Sequence, residues 1–245
     1  MAQRLFRNLA FGVMFAAFAC LTVQAAEPSR PVAQQIREFE IIVDDSRAGT
    51  NRVVTSDYAG GRTVTTTEAN VSINYLVYTY TYRFRGSESW LASRPRKIEC
   101  QTLEGGKRRS VKALIDPEAM DVAVDTNPHR KLPAAHLTTN FWYWPAELDQ
   151  QDIITVLDVD NGQSLQMRTE KIGIEHLRCG SQTLKCTHYR LDGEASIDLW
   201  FDEQRQLVQK KCVEDGHPTE LRLTTIKQVD LAAKPAARSQ ASTNR

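Results

Sequence analysis

Residues 76–85 read LVYTYTYRFR: Leu76, Tyr78, Tyr80, Tyr82 and Phe84 share one parity, and Thr79, Thr81, Arg83 and Arg85 the other. A period of two scatters apolar groups around a helix but gathers them on one face of an extended chain. This stretch is therefore a half-buried antiparallel strand. The residues before it, RTVTTTEANVS, are rich in threonine and valine, whose branched side chains favour a sheet over a helix.

The same signal recurs along the chain. REFEIIVDD, NRVVTSDYA, the two arms around Gly105 and Gly106, QSLQMRTEKIGIEHLRC, TLKCTHYRLDG, EASIDLWFD, QLVQKKCVED and HPTELRLTTIKQVD all read as strands separated by short polar turns. In the seventh of these, Ala195, Ile197, Leu199 and Phe201 alternate with polar residues. We expect a mainly β domain over residues 32–231. It should be a single antiparallel meander of about ten strands, strongly curved into a half barrel or barrel, with a loop or short helix as cover. Residues 31–38 could form a helical turn but merge into strand composition. The segment 118–158 contains Pro128, Pro133 and Pro145, cannot be one regular element, and suits a crossover or end cap. The tail 232–245 has nothing to bury and is expected to be disordered.

The N-terminus has Arg4 and Arg7, an apolar run from Leu9 to Val23, and small residues at Ala25 and Ala26. That layout predicts a signal peptide over 1–25, and the run, about 15 residues, is short of the roughly 20 that span a bilayer. The alternatives are a retained anchor or acylation at Cys20, although "AFAC" is a poor lipobox. Periplasmic localisation follows, with no stable membrane span after cleavage. Without Arg4 and Arg7 the chain holds 29 basic and 30 acidic residues, a balance that gives no reason to expect a nucleic-acid partner.

Cys100, Cys179, Cys186 and Cys212 remain after cleavage, an even number that in an oxidising compartment favours two disulfides. Cys179 and Cys186 flank a GSQT turn, which suggests a bond between them and a second between Cys100 and Cys212. His176, Cys179, Cys186 and His188 could alternatively form a zinc set, but a Cys179–Cys186 bond would remove both thiolates. His188, Asp192 or Asp198, and Ser196 could be drawn as a hydrolytic set, yet there is no nucleophile elbow. DVDNGQ at 158–163 resembles part of a calcium loop without its closing glutamate, so a turn at Asn161 and Gly162 accounts for it better. Nucleotide-loop and HExxH motifs are absent, and neither a cofactor nor a metal is expected.

The remaining chemistry is apolar. Tyr78, Tyr80, Tyr82, Leu199 and Phe201 could line a cavity for a lipid or other hydrophobic molecule, or could fill the barrel themselves. TTNFWYW at 138–144 could be a ligand surface, a membrane-touching edge or sheet core. Its position between the Pro-containing crossover and Pro145 makes it a lid, with Trp142 plugging the barrel and Trp144 at a cavity mouth or interaction edge. The alternative to a ligand carrier is an envelope structural or protein-interaction module.

The order of features also resembles a known pattern. Gly49-Thr50 after the first strand, E-x-W at Glu88 and Trp90, T-x-x-x-W at Thr138 and Trp142, HYRLDG at 188–193 and DLWFD at 198–202 are similar to a family of uncharacterised exported bacterial proteins. That family is distantly similar to the curved-sheet lipoprotein carriers LolA and LolB. The resemblance covers roughly 36–230 and implies an open barrel around an apolar concavity, with a lipid or acyl chain as substrate. The chain departs from it at ESWLASRPR, where a D-G turn would be usual, and in its extra cysteines.

Overall fold

The computed structural model describes residues 30–75, 77–229 and 231. The expected signal peptide 1–25, Leu76 and the expected disordered tail 232–245 lie outside the described residues. The first half of the chain forms β1 (Ala33–Val43), β2 (Ser46–Tyr58), β3 (Arg62–Asn74), β4 (Thr79–Leu91), β5 (Arg94–Glu104), β6 (Lys107–Ile115), β7 (Ala119–Val124) and β8 (Arg130–Pro133). After β9 (Leu137–Thr138) and a short 3-10 helix (Ala146–Gln150) come β10 (Ile153–Leu157), β11 (Ser164–Cys179), β12 (Gln182–Asp192), β13 (Ser196–Phe201), β14 (Leu207–Glu214) and β15 (His217–Val229).

Among the described residues these fifteen strands make one sheet, in the order β8 to β1, then β15 back to β9. Paired strands are consecutive in sequence except at β1–β15, where Gln34 faces Val229. All pairs are antiparallel except β9–β10. The sheet is open between β8 and β9, and residues 134–136 cross the gap. The Ala134 amide bonds to Glu118 and the His136 amide to Thr155, so the connection holds first one edge and then the other.

The strand count corrects the expected ten, for two reasons. Short strands β7 to β10 lie within the Pro-containing segment, where the prolines stop long elements but leave room for brief ones. Elsewhere turns occur without turn residues. Ala92 and Ser93 sit at φ 50° and 60°, a conformation that hairpin turns usually give to Gly or Asn, and the break between β3 and β4 falls in Tyr75, Val77 and Tyr78. Residues 33–38 belong to β1, so the helical turn does not form.

Alternation places Phe39, Val53, Leu199, Phe201 and Leu223 in one buried cluster with the crossover aromatics. Phe84, Ile98, Val111, Val122 and Leu157 form a second one against β4 to β7.

Candidate functional site: a plugged interior and an outer groove

Residues 141–145 and Leu148 pack into the interior, while Ala146, Glu147 and Gln150 stay exposed. Phe141, Trp142 and Trp144 are all buried, Trp144 completely at 0% exposure. They do not alternate as a strand, because Phe141 adopts φ 47°, a left-handed conformation rare for a bulky side chain. Both parities can therefore face core. Trp144 stacks on Tyr189 at 4.2 Å and lies against Phe201 at 5.5 Å. The expectation that Trp144 marks a cavity mouth or interaction edge is corrected: it is the centre of the plug. Trp142 plugs the interior, and Leu199 and Phe201 pack beneath the same segment.

Three carboxylates fasten the plug and the turn beside it. Glu88, 1% exposed, accepts from Trp90 Nε1 at 3.0 Å, Trp142 Nε1 at 3.1 Å, Thr138 Oγ1 at 2.8 Å and Asn140 Nδ2 at 2.5 Å. Two indoles and an amide nitrogen can only donate, so the geometry calls for an acceptor at both carboxyl oxygens. Burial raises the Glu88 carboxyl above its ordinary value, and the four donors offset that only in part. The E-x-W and T-x-x-x-W motifs thus converge on one carboxylate. Asp149 accepts from Trp144 Nε1, Tyr189 Oη and Arg205. Burial pushes it up, but those donors outweigh burial and hold it at about 2. Asp202, the last residue of DLWFD, forms a 2.5 Å ion pair with Arg37, both side chains being buried. It also accepts the amides of Gln204 and Gln206, which shapes the turn against which the plug lies.

The predicted tyrosines lie elsewhere. Tyr78 is at the β3–β4 turn, 58% exposed. Tyr80 donates to Glu104, and Tyr82 to Asp160; burial followed by these carboxylates raises both phenols. Asp160 belongs to the 158–163 turn, which packs on β4 to β8. Thr102 donates to its carboxylate at 2.6 Å, and Arg109 and Arg130 reach carbonyls of the same turn. The turn seen in the sequence as a calcium-loop fragment is therefore held against the first-half strands by hydrogen bonds and by Gly162 packed on Val124.

The cysteines correct the disulfide expectation: all four are free thiols. The turn is only Gly180 and Ser181, so Cys179 faces Gln182, while Cys186 faces Glu175 four positions further along. Cys100 is buried beside Gly86 on β4, and Cys212 donates to Glu214 on its own strand. Burial pushes Cys186 and Cys212 up to about 12, which suits unreactive thiols. His188 lies 2.7 Å from both Glu175 and Asp198 and stacks on Trp200. Ser196 turns to Asp192 instead, so the hydrolytic set does not assemble. Among the described residues no group of three or more His, Cys, Asp or Glu is placed to hold a metal.

Among the described residues, two concavities bear on the site. One, between Trp142, Asn140 and Phe39, is about 10 Å³, room for about one water. The other is a groove of about 360 Å³ on the outer face of β2 to β6. Register explains its shape. Arg52, Glu68, Arg85, Gln101 and Ser110 form one cross-strand row, and the short side chains of Thr66 and Ser87 lie in the next. Glu68 pairs loosely with Arg85 at 3.5 Å, whereas Glu99 is drawn to Lys97. Such a floor offers hydrogen bonds and charge to a polar chain, without a nucleophile and base in contact.

A family model described as a domain of unknown function, DUF6134, matches residues 39–224. No curated protein matches the chain. Among solved structures, a beta-barrel-like protein of domain of unknown function DUF1849 from Brucella abortus is similar in fold, with TM-score 0.58 and 10% identity over 82% of this chain and 99% of that one.

Proposed function

This chain belongs to the DUF6134 family, and from that premise we propose that it is an exported, non-catalytic envelope module that binds a protein partner through its outer face. The observation that carries this reading is occupancy: Phe141 and Trp144 take the interior space an acyl chain would need, while the groove of about 360 Å³ lies outside. Its charged and hydroxyl side chains suit a polar segment of a partner better than a lipid tail.

A second reading is a carrier of a hydrophobic ligand, akin to the curved-sheet lipoprotein carriers. Two features favour it. Among the described residues the plug's backbone makes one bridge, Tyr143–Gln206, and a few amide bonds, its other ties being the side-chain bonds to Glu88 and Asp149, and Phe141 carries backbone strain that displacement would release. The ligand would replace Trp144 beside Tyr189 and Phe201.

One experiment separates the two. A photo-crosslinking side chain replacing Gln101 should give a discrete protein adduct in intact cells, and gently purified protein should carry no lipid by native mass spectrometry. Stoichiometric lipid with no adduct at Gln101 would overturn the first reading in favour of the second.

A further inference from the structure

The outer face of β2 to β6 carries its charges in adjoining cross-strand rows. The row of Arg52, Glu68 and Arg85 runs through the groove, with Arg83 and Arg108 in the row on one side and Glu99 and Lys112 in the row on the other. The carboxylates here already have partners. Glu68 pairs with Arg85 and Glu99 with Lys97, while Asp125 accepts the Ser110 amide at 2.6 Å. On the bordering strands, Glu38 stands opposite Arg52 but is held by Lys227, Glu40 is held by Arg47, and Asp121 meets His129. The cations are not used up in return. Arg52, Arg83, Arg108 and Lys112 are exposed and, among the described residues, their side chains make no hydrogen bond or ion pair.

Their spacing says what kind of anion fits. Neighbouring strands lie about 4.8 Å apart, so Arg52 on β2 and Lys112 on β6 stand about 19 Å apart across the sheet. No small anion reaches both, whereas an extended segment of about six residues does, at about 3.3 Å per residue. Between the two cations lie the hydroxyls of Thr66 and Ser87 and the amide of Gln101, groups that can bond to a peptide backbone. The groove lining holds no aromatic ring on which a nucleic-acid base could stack. Its one aliphatic side chain, Val54, is too little surface for an acyl chain.

We propose that the groove takes an acidic, extended segment of a partner protein, whose carboxylates meet Arg52 at one end and Lys112 at the other. Arg83 and Arg108 add to the attraction from the neighbouring row. This rests on the reading of the outer face as a protein-docking surface and names the chemistry of what docks there.

The test is fluorescence anisotropy of the purified protein with three labelled probes: an eight-residue peptide alternating glutamate and serine, the same peptide with lysine for glutamate, and a strand of eight thymidines. The acidic peptide should bind at least about tenfold more tightly than the basic one, and should weaken by about tenfold between 20 and 200 mM salt as the exposed charges are screened. Arg52→Glu with Lys112→Glu should lose at least about tenfold in affinity while the melting curve stays in place. Arg168→Glu with Arg178→Glu, which reverses two exposed cations on β11, should leave the affinity within about twofold. Equal binding of the two peptides, or equal losses in the groove and β11 variants, would overturn the proposal. So would thymidines bound more tightly than the acidic peptide, since that assigns the groove to a nucleic acid. The crosslink at Gln101 keeps the two levels apart. An adduct that persists in the Arg52→Glu, Lys112→Glu variant overturns the acidic segment and leaves the docking face, whereas no adduct in the otherwise unchanged protein removes the docking face itself.

Discussion

Two segments of similar composition meet opposite fates. Phe141 to Trp144 lies in the core, and Tyr75, Val77 and Tyr78 stand at a hairpin tip. Hydrophobicity does not separate them, but hydrogen-bond partners do. Each plug indole has a carboxylate waiting, Glu88 for Trp142 and Asp149 for Trp144, whereas the tip bonds within itself, Tyr75 N–H to the Tyr78 carbonyl and Thr79 Oγ1 to Asn74. An aromatic segment can be buried only where its polar atoms are received.

Truncation should break the symmetry most sharply. Trp144→Ala should destabilise the fold by about 3–5 kcal/mol in urea unfolding, because a fully buried indole leaves a cavity. Tyr78→Ala should stay within about 0.5 kcal/mol. Equal costs would sink the distinction between plug and tip.

Next in size is the receiver itself. Glu88→Ala orphans two indole donors and two other groups, at a cost of at least about 3 kcal/mol. Glu88→Gln should recover part of this, since one oxygen still accepts while its amide opposes the remaining donors. Circular dichroism melts of the two variants would show the order, and a harmless Glu88→Ala would mean that the plug does not depend on being received.

Acid separates the two receivers. Asp149 has a folded value of about 2 against an ordinary 3.8, so its stabilisation is complete above about pH 4 and fades as pH falls through 2. The loss should be about 2 kcal/mol in wild type and absent in Asp149→Asn. Glu88 works in the other direction: with its folded value raised, the fold gains as pH falls through that value towards 4.5. Unfolding free energies measured at steps from pH 7 to pH 2 in both variants test the opposite signs.

The smallest effect should come from reductant. With Cys100, Cys179, Cys186 and Cys212 free, dithiothreitol should leave the melting temperature unchanged, and a thiol titration of denatured protein lacking residues 1–25 should count four groups, one more if Cys20 is retained. A lower count, with a reductant-sensitive melt, would put the closure of the molecule on a different footing.

Alternation in residues 78–84 and 195–201 made the curved antiparallel sheet legible, because period two is written into single residues. The strand number was not legible where Ala92 and Ser93 turn without glycine and where apolar Tyr75 and Val77 turn with no polar signal. The motif residues Glu88, Trp90, Thr138 and Trp142 were visible as a pattern, but their meeting was not. Four donors on one carboxylate is a fact about two segments 50 residues apart in sequence. The signal that could have found it was the match between a lone acid in a buried parity and two tryptophans with indoles to satisfy. Of the two expected disulfides, Cys179–Cys186 failed on register: the two-residue turn at Gly180 and Ser181 slid Cys186 past Cys179.

The ladder between β1 and β15 also sets an order of events. Every other antiparallel ladder joins strands adjacent in sequence, so β1 to β8 and β10 to β15 can each zip locally and early. The pairing of Gln34 with Val229 must wait until the end of the chain is in hand, and closing so long a loop is slow in entropic terms. The plug waits with it, since Glu88 holds it from the first half while Asp149 meets Tyr189 and Arg205 from the second. Joining the two halves and seating the aromatic core are thus a single late folding step, and until it occurs β1 and β15 stand as open edges that can take the wrong partner.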